Sequence, residues 1–362
     1  MRFVDIIDNH LAAFFAKKEI EVQEIAHDLV PLVDYSRSLL SGGKRFRARF
    51  AYWGYRAIAG RDGQAPPTTP DHPSFILATA LEMFHAAALV HDDIMDNSDT
   101  RRGKPAAHRF FESLHRDRQY SGGAERFGES TALLLGDLLL AWSDDLLGDA
   151  VRDQPPAIAT ATRAQFSQMR QEVTLGQYLD IHEEAAWNHT AIEERLQRAL
   201  RVVTYKSAKY SMEAPLLIGA SLAGASDDVL EDLSAFGLPL GIAFQLRDDL
   251  LGVFGDSEVT GKPSGDDLRE GKRTALIALG EQSMPSGAQN LFNELLGDRN
   301  LTGEQIDVLQ STLRDTGAVE EVENLIDRYA DESLSALESA RIAPGAKKEL
   351  SKLAAAVTKR QS

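Results

Sequence analysis

The sequence predicts an all-α protein made of one large domain. Long stretches, among them residues 161–185 and 319–340, repeat apolar side chains at spacings of three and four positions, which is the period of an amphipathic helix. Stretches that alternate apolar and polar residues between turn signals are scarce, so no sheet is expected. The helical pattern resumes directly after every polar interruption, which argues against an interdomain linker. We therefore expect a single helical domain over residues 1–362.

The helical segments can be followed in chain order. Residues 1–25 are predicted to form an amphipathic helix, and another helix is expected to start after the glycine pair of GGKRFR, at residues 42–47. Three polar segments rich in turn residues interrupt the pattern, at residues 60–74, 115–130 and 255–272. The most apolar helical segments end in acidic residues.

Composition limits the classes of function. The chain has 43% hydrophobic and 26% charged residues, as in ordinary soluble proteins. Its formal net charge of −16 argues against nucleic-acid binding, which needs a basic surface. The absence of cysteine excludes disulfides and thiolate chemistry. No uninterrupted apolar run approaches the roughly 20 residues of a membrane span, and the acidic start does not resemble a signal peptide. We therefore expect a cytoplasmic protein without a transmembrane segment.

Two apolar helical segments end in aspartates. In FHAAALVHDDIMD, Asp92 and Asp96 are four residues apart and share a helix face, with Asp93 beside them. Like charges at this spacing destabilise a helix unless a cation lies between them. GIAFQLRDDLLGVFGD repeats the arrangement with Asp248 and Asp249. One such pair alone would more simply be a solvated helix end, but its recurrence predicts magnesium sites that bind a diphosphate.

Basic residues lie close to these acidic ends in the sequence. The segments GGKRFR, TRRG, YKSAKY and GKPSGDDLREGK supply lysines and arginines, and none of them is a Walker A loop. Each basic residue alone would more simply serve solubility. Together with the acidic ends they predict two bound anionic groups, one held through metal and one held directly by Arg and Lys.

The order of these motifs resembles that of a known family. GGKRFR, HAAALVHDDIMDNSDTRRG, LLLGDLLL, GQYLD, YKSA and FQLRDDLLGVFGDSEVTGKPSGDDLREGK span about residues 40–275. The chain resembles a trans-prenyltransferase of the polyprenyl diphosphate synthase family, most like a bacterial geranylgeranyl diphosphate synthase. The resemblance implies the isoprenoid-synthase fold, a large helical bundle around a central active-site cavity, and a homodimer. It also implies magnesium-dependent, head-to-tail condensation of isopentenyl diphosphate with an allylic diphosphate (dimethylallyl, geranyl or farnesyl).

The resemblance assigns roles to individual positions. It implies three magnesium ions, with ligands at Asp92, Asp96 and Asp248 and with Asp93 and Asp249 behind them. It implies that isopentenyl diphosphate is bound by Lys44, Arg47, His85 and Arg102. It implies that the allylic diphosphate is bound by Arg101, Lys206, Gln245, Lys262 and Lys272. The allylic cation that forms is expected to be stabilised by Lys206, Ser207 and Gln245.

The second acidic motif departs from the family pattern D-D-x-x-D. Gly252 stands in its third place, and Asp256, one turn further on, is the candidate substitute. Because the first aspartate of the motif usually makes the direct metal contact, we expect activity to survive with weaker binding of the third metal ion. The sequence leaves the size of that effect open.

Product length is expected to depend on the helix before Asp92. Ala87 and Ala88 occupy the fifth and fourth positions before this aspartate, where relatives with shorter products tend to have an aromatic residue. Phe84 lies a turn further down and is the candidate floor of the tunnel. This pattern favours geranylgeranyl diphosphate as the product, with longer-chain and farnesyl diphosphates as alternatives. The preferred allylic primer is left open.

Two other classes of function compete with this interpretation. A terpene cyclase would share the first acidic motif, but it has no use for a GGKRFR site and carries a different second motif. A non-catalytic partner subunit of a heteromeric synthase would usually lack metal-binding aspartates. This chain keeps them in both motifs, and the glycine at position 252 is the feature that favours such a subunit.

Overall fold

The structure, a computed structural model, describes residues 2–61, 63–255 and 264–358. The all-α prediction is confirmed, because helices make up nearly all of the regular structure. In chain order the α-helices are α1 (Phe3–Ile25), α2 (Val30–Leu39), α3 (Phe46–Ala59), α4 (Pro73–Met95), α5 (Ala107–Asp117), α6 (Ala124–Val151), α7 (Pro156–Ala186), α8 (Ile192–Val202), α9 (Ala214–Leu222), α10 (Asp227–Phe254), α11 (Asp266–Glu270), α12 (Ala275–Ser283), α13 (Ser286–Leu295), α14 (Gly303–Asp315), α15 (Ala318–Ser339) and α16 (Pro344–Thr358). Short 3₁₀ helices cover His27–Leu29 and Trp187–His189, and a π-helix covers Val203–Glu213.

One small hairpin supplements the helices. Strands β1 (Thr100–Arg101) and β2 (Lys104–Pro105) pair antiparallel, with Thr100 opposite Pro105. The sequence did not reveal this hairpin, because strands of two residues are too short to show alternation. The predicted interruption at residues 115–130 is narrower than expected, since α5 ends at Asp117 and α6 begins at Ala124.

The chain divides into two compact units. The first comprises Met1–Arg163 and Ile218–Gly224, and the second comprises Ala164–Leu217 and Ala225–Ser362. In chain order the divisions fall within α7 and α9. The expectation of a single domain over residues 1–362 stays a prediction.

The first unit is built on α4, an apolar helix with few charges. This helix packs against α1, α3 and α6. The Ser143 hydroxyl of α6 donates a hydrogen bond to the Ala80 carbonyl of α4 at 2.8 Å. Trp142 of α6 contacts Phe14 and Phe15 of α1, with ring centroids 5.8 and 6.2 Å apart. These contacts hold the carboxyl-terminal end of α4 in place.

The second unit is built on α10, which packs against α15 and the π-helix. The Ser333 hydroxyl of α15 donates to the Phe236 carbonyl of α10 at 2.8 Å. On the side of α10 that meets the π-helix, a Cβ at Gly241 would overlap the Ala208 carbonyl. The backbones therefore touch directly there, which fixes the π-helix against α10.

Two helices, α4 and α10, are long and apolar enough to cross a membrane by length and composition alone. Their apolar windows are 72% and 56% buried within the protein. Such burial is typical of core helices, so these two helices are weak evidence for a membrane span. Neither helix contains a long uninterrupted apolar run, because both are apolar only on average. A search for uninterrupted runs in the sequence therefore does not find them.

A glycine substitution tests the close packing of the first unit. We predict that Gly128→Ala destabilises the fold by about 1–3 kcal/mol. An added Cβ would overlap the His108 carbonyl and lie 3.0 Å from the Glu112 backbone nitrogen on α5, and backbone atoms cannot move cheaply. The measurement is the free energy of unfolding in urea.

The control is Gly287→Ala on α13, where an added Cβ meets open space among the described residues. It should leave stability unchanged or raise it by up to about 1 kcal/mol. Equal effects of the two substitutions would contradict the close approach of α5 and α6.

Candidate active site

The first acidic motif lies at the carboxyl-terminal end of α4. The helix ends at Met95, and the Asp96 backbone N–H donates to the Asp92 carbonyl at 2.8 Å. The Asp93 side chain is 2% exposed, whereas that of Asp92 is 23% exposed. The buried carboxylate is therefore the structural one, and Asp92 and Asp96 retain access to solvent.

The hairpin after α4 turns two adjacent arginines toward different partners. Its turn residues, Arg102 and Gly103, have φ angles of 54° and 71°, the combination of a type I′ turn. Arg101 Nε donates to Asp93 Oδ1 at 2.9 Å, and its Nη2 lies 3.6 Å from Asp92 Oδ2. Arg102 Nη1 instead donates to the Leu39 carbonyl at 3.1 Å. The two guanidiniums thus have different hydrogen-bond partners.

The loop GGKRFR buries its middle arginine. Arg45 has a left-handed backbone with φ 52°, and its side chain is 1% exposed. Its guanidinium donates to Glu82 Oε2 at 3.1 Å, to Asp8 Oδ1 at 2.8 Å and to the Leu40 carbonyl. The sequence suggested that all the basic residues of this loop bind phosphate. The Arg45 side chain is instead buried and joins the loop to Glu82 of α4. Lys44 on one side is exposed.

His85 lies one turn beyond Glu82 on α4 and is surrounded by guanidiniums. Burial and the positive charges of Arg47, Arg102 and Arg101 hold the pKa of its imidazole well below the usual value. A neutral imidazole can donate one hydrogen bond to a phosphate oxygen without needing a counter-charge.

A cavity of about 140 Å³ opens beside these residues. None of the described residues that line it carries a carboxylate, although the chain as a whole has a formal charge of −16. Its lining residues are Tyr35, Ser38, Leu39, Ser41, Arg101, Arg102 and Lys104. Such a reversal of local charge favours an anion.

In the second unit, one carboxylate holds two of the predicted diphosphate-binding lysines. Lys206 Nζ donates a hydrogen bond to Asp180 Oδ2, and Lys272 Nζ lies 3.7 Å from the same oxygen. Lys272 also lies 3.8 Å from Glu184 Oε1. Asp180 is the last residue of the GQYLD motif, and no role was predicted for it from the sequence.

The glycine of the same motif explains why the carboxylate reaches the lysine. A Cβ at Gly176 on α7 would overlap the backbone of Lys206 and Tyr205 in the π-helix. Gly176 and Asp180 are four residues apart and share a face of α7. The contact at Gly176 therefore places Asp180 next to Lys206, and this shared face was the signal in the sequence. The π-helix itself, a form often found at functional sites, also carries Ser207 and was not predicted.

The second acidic motif contains one accessible and one buried aspartate. Asp248 is partly exposed, while Asp249 is 6% exposed. Gln245 Nε2 donates to Asp249 Oδ1 at 2.8 Å. Burial and then the charges of Asp267, Asp248 and Asp180 raise the pKa of Asp249 to about 8. A hydrogen bond thus ties Gln245 to Asp249, beside the partly exposed Asp248.

The side chains suit a magnesium ion that takes some ligands from the protein and the others from water and a bound phosphate group. Among residues 2–61, 63–255 and 264–358, no three acidic or histidine side chains converge closely enough to hold a metal by themselves. Magnesium commonly takes one or two carboxylates and completes its shell with water and phosphate oxygens. The partly exposed Asp92, Asp96 and Asp248 suit that arrangement.

The other predicted residues are placed as follows. Lys262 and Asp256 lie outside the described residues. Ala87 is fully buried and Phe84 is 4% exposed, whereas Ala88 keeps part of its surface open. Of the two alanines, Ala88 is therefore the one that is not fully buried.

Comparisons with known proteins show which proteins this chain resembles. A family model described as polyprenyl synthetase matches residues 31–313. A geranylgeranyl diphosphate synthase from Methanosarcina mazei is 31% identical over 306 residues, covering 84% of this chain and 82% of that protein. A geranylfarnesyl diphosphate synthase from Aeropyrum pernix is 30% identical over 312 residues, covering 86% and 87%. A geranylgeranyl pyrophosphate synthase from Corynebacterium glutamicum, solved with isoprenyl diphosphate and magnesium, is 38% identical with a TM-score of 0.92 over 99% of each chain. The isoprenoid-synthase fold is thereby confirmed.

Removing Glu82, the buried partner of Arg45, tests how much this ion pair contributes to stability. We predict that Glu82→Ala lowers the free energy of unfolding by about 3–5 kcal/mol, because it removes the buried carboxylate that pairs with the buried Arg45 guanidinium and leaves only the exposed Asp8. Asp34→Ala is the matched control, since Asp34 pairs with Arg37 at the surface and exposed pairs contribute less than about 1 kcal/mol. The contradicting result is a cost of less than about 1 kcal/mol for Glu82→Ala, as expected for an exposed pair. That result would show that the buried pair is not important for stability.

The low pKa of His85 predicts a pH-dependent stability. The unfolded chain binds a proton near the ordinary histidine pKa of about 6.5, while the folded chain keeps this ring neutral well below that pH. Stability should therefore fall as the pH drops. Between pH 7.5 and 5.5 the wild type should lose about 1.4 kcal/mol more than His85→Gln, as measured by urea unfolding at both pH values. Identical losses would refute the assignment.

Proposed function

Since this chain belongs to the polyprenyl synthetase family, it is a trans-prenyltransferase, and we propose that it makes geranylgeranyl diphosphate. Its substrates in this proposal are isopentenyl diphosphate and the allylic diphosphates dimethylallyl, geranyl and farnesyl diphosphate. Two relatives named above, from Methanosarcina mazei and Corynebacterium glutamicum, are geranylgeranyl diphosphate synthases.

One observation carries the assignment of chemistry in the first unit. At the end of α4, Asp92 and Asp96 stay accessible while Asp93 binds Arg101 in the adjoining hairpin. Carboxylates for metal and a guanidinium for phosphate are thus held next to each other, at the end of α4 and in the hairpin that follows it. This arrangement supports diphosphate binding through metal and arginine together.

Isopentenyl diphosphate is assigned to the cationic residues Lys44, Arg47 and Arg102, together with His85. Arg102 is turned away from the α4 carboxylates by the hairpin, so its charge remains available for a second anion. A neutral His85 adds a hydrogen bond without adding repulsion among the guanidiniums. Holding the diphosphate orients the terminal double bond for attack and makes the encounter effectively intramolecular.

The allylic diphosphate is assigned to Arg101, Lys206 and Lys272, with Lys262 as a further ligand. Asp92, Asp96 and Asp248 would hold magnesium, which would supply Lewis-acid stabilisation of the departing diphosphate. These basic side chains neutralise charge as the C–O bond breaks, and the dipoles of Ser207 and Gln245 stabilise the allylic cation. After the isopentenyl double bond attacks, the departing diphosphate is the nearest base for the proton that is lost.

Further properties belong to the same proposal. We infer three magnesium ions per site, a cytoplasmic location and one functional domain over residues 1–362. We also infer a homodimer. Leu133 and Leu134 on α6 are 52% and 66% exposed, and adjacent large apolar side chains at a surface favour a covered interface.

Product analysis of the purified chain tests the proposed function. Incubation with isopentenyl diphosphate and each allylic primer should give geranylgeranyl diphosphate, identified by chromatography after dephosphorylation. Asp92→Ala is the inactive control. If the isolated chain makes no product with any primer, the non-catalytic partner subunit becomes the better interpretation. A farnesyl or longer product would replace only the assigned chain length.

The length of the product should respond to Ala88. Ala88→Phe places a ring in front of the open surface on α4, so we predict a shift toward farnesyl or geranyl diphosphate with the first condensation retained. Phe84→Ala should remove the floor and allow longer tails. Ala87→Phe is the comparison, because Ala87 is fully buried and an added ring should mainly destabilise the fold by about 1–3 kcal/mol. Unchanged product lengths for Ala88→Phe and Phe84→Ala would place the floor on another helix.

A further inference from the structure

The cavity beside the hairpin extends beyond the residues assigned to either substrate. Besides Arg101 and Arg102, its walls include Ser38, Ser41 and Lys104, which take no part in the proposed binding of the two diphosphates. Roughly 10–15 Å³ is enough to hold one water molecule, so a cavity of about 140 Å³ admits a group of several heavy atoms. It is therefore large enough to bind a ligand.

Arg102 lies between this cavity and the surroundings of His85. A second and much smaller cavity, of about 10 Å³, is also lined by Leu39 and Arg102 and reaches His85. Among the described residues, Ser38 and Lys104 line only the larger cavity. Leu39 and Arg102 thus form a wall that the two cavities share, with His85 on one side of it and Lys104 on the other.

Lys104 is held at the cavity by a neutral partner. Its Nζ donates a hydrogen bond to Ser38 Oγ at 2.9 Å, and no carboxylate within the described part of the chain pairs with it, whereas Lys206 pairs with Asp180. An ammonium group has three donors, and a serine hydroxyl that accepts one hydrogen bond still has its own proton to donate. The Lys104 ammonium and the Ser38 hydroxyl can therefore both donate to an anion.

The Arg102 guanidinium also lacks a counter-charge of its own. Its Nη1 donates to the Leu39 carbonyl, a neutral partner, at 3.1 Å. Burial lowers the pKa of this guanidinium, and the charges of three neighbouring arginines lower it as well, while Glu82 opposes them. Glu82 is itself paired with the buried Arg45. An anion in the larger cavity would offset the positive charge that remains.

The end of α2 holds the hairpin in the position that shapes this cavity. The Tyr35 hydroxyl donates to the Pro105 carbonyl at 3.1 Å, and its ring packs on Phe110 with the ring centroids 5.0 Å apart. The hydrogen bonds that Ser38 and Leu39 accept from the hairpin add two further links. The basic side chains are therefore in place before an anion arrives, which lowers the cost of binding it.

We propose that Lys104 and Ser38 form, together with Arg102, a further phosphate-binding position beside the one that includes His85. The Lys104 ammonium and the Ser38 hydroxyl donate to phosphate oxygens there, and the Arg102 guanidinium is shared by the two positions. The phosphate group belongs either to isopentenyl diphosphate or to the free diphosphate that the reaction releases. The identity of these ligands rests on the proposed function, whereas anion binding at this position does not require turnover.

Calorimetric titration with inorganic diphosphate in the presence of EDTA tests this position without any contribution from metal. The titrations use an Arg47→Ala background, because Arg47 is assigned to isopentenyl diphosphate but does not line the larger cavity. Lys104→Met should weaken binding by about ten- to a hundredfold, since it removes a charged hydrogen-bond donor. Ser38→Ala should weaken binding less, and Lys104→Arg should retain most of it.

The matched control is Lys17→Met, which removes an exposed lysine of α1 that lies 3.7 Å from Glu21. It should bind inorganic diphosphate like the Arg47→Ala background. The inference is wrong if Lys104→Met binds inorganic diphosphate as tightly as Lys17→Met does.

Steady-state kinetics without the Arg47 substitution identify the source of the phosphate group. If it belongs to isopentenyl diphosphate, Lys104→Met should raise the Michaelis constant for that substrate by about ten- to a hundredfold and leave the constant for the allylic diphosphate unchanged. If it belongs to released diphosphate, both constants should stay the same and inhibition by added diphosphate should weaken by a similar factor. A calorimetric difference in a chain that shows no turnover would refute the proposed function and leave the anion site supported.

Discussion

Cations that are to bind diphosphates must be held close to one another before any substrate arrives, and this protein meets that constraint with carboxylates placed behind them. Asp93 pairs with Arg101 in the first unit. Asp180 binds Lys206 and lies near Lys272 in the second. Without such counter-charges the repulsion between neighbouring ammonium and guanidinium groups in a partly desolvated site would amount to several kcal/mol. Some of the acidic residues at these positions therefore serve to hold basic side chains in place.

The counter-charges also determine which basic residues stay available to bind an anion and which are paired within the protein. Arg45 is drawn inward by Glu82 and Asp8, and its left-handed backbone turns the loop as it does so. Non-glycine residues in this conformation are uncommon and are maintained only where surrounding contacts enforce them. Arg102 adopts the same conformation in the hairpin. In both places backbone strain is used to separate neighbouring basic side chains.

Close backbone contacts fix the position of the helix that carries a flexible lysine side chain. Gly176 on α7 lies against the π-helix backbone at Lys206, and Gly241 on α10 lies against it at Ala208. Because backbone touches backbone, the helix that carries Lys206 and Ser207 has little freedom to shift.

The sequence by itself determined the features that depend on local spacing. The period of three and four residues predicted the helices, the four-residue spacing placed Asp92 and Asp96 on one face, and the order of motifs indicated the family. The partners of the charged residues could not be predicted, because they are far apart in the chain. Arg45 and Glu82 are separated by 37 residues, and nothing in GGKRFR shows that one of its basic residues points inward. The different partners of Arg101 and Arg102 and the pairing of Asp180 with Lys206 were likewise decided by tertiary packing, since electrostatic pairing depends on distance in space.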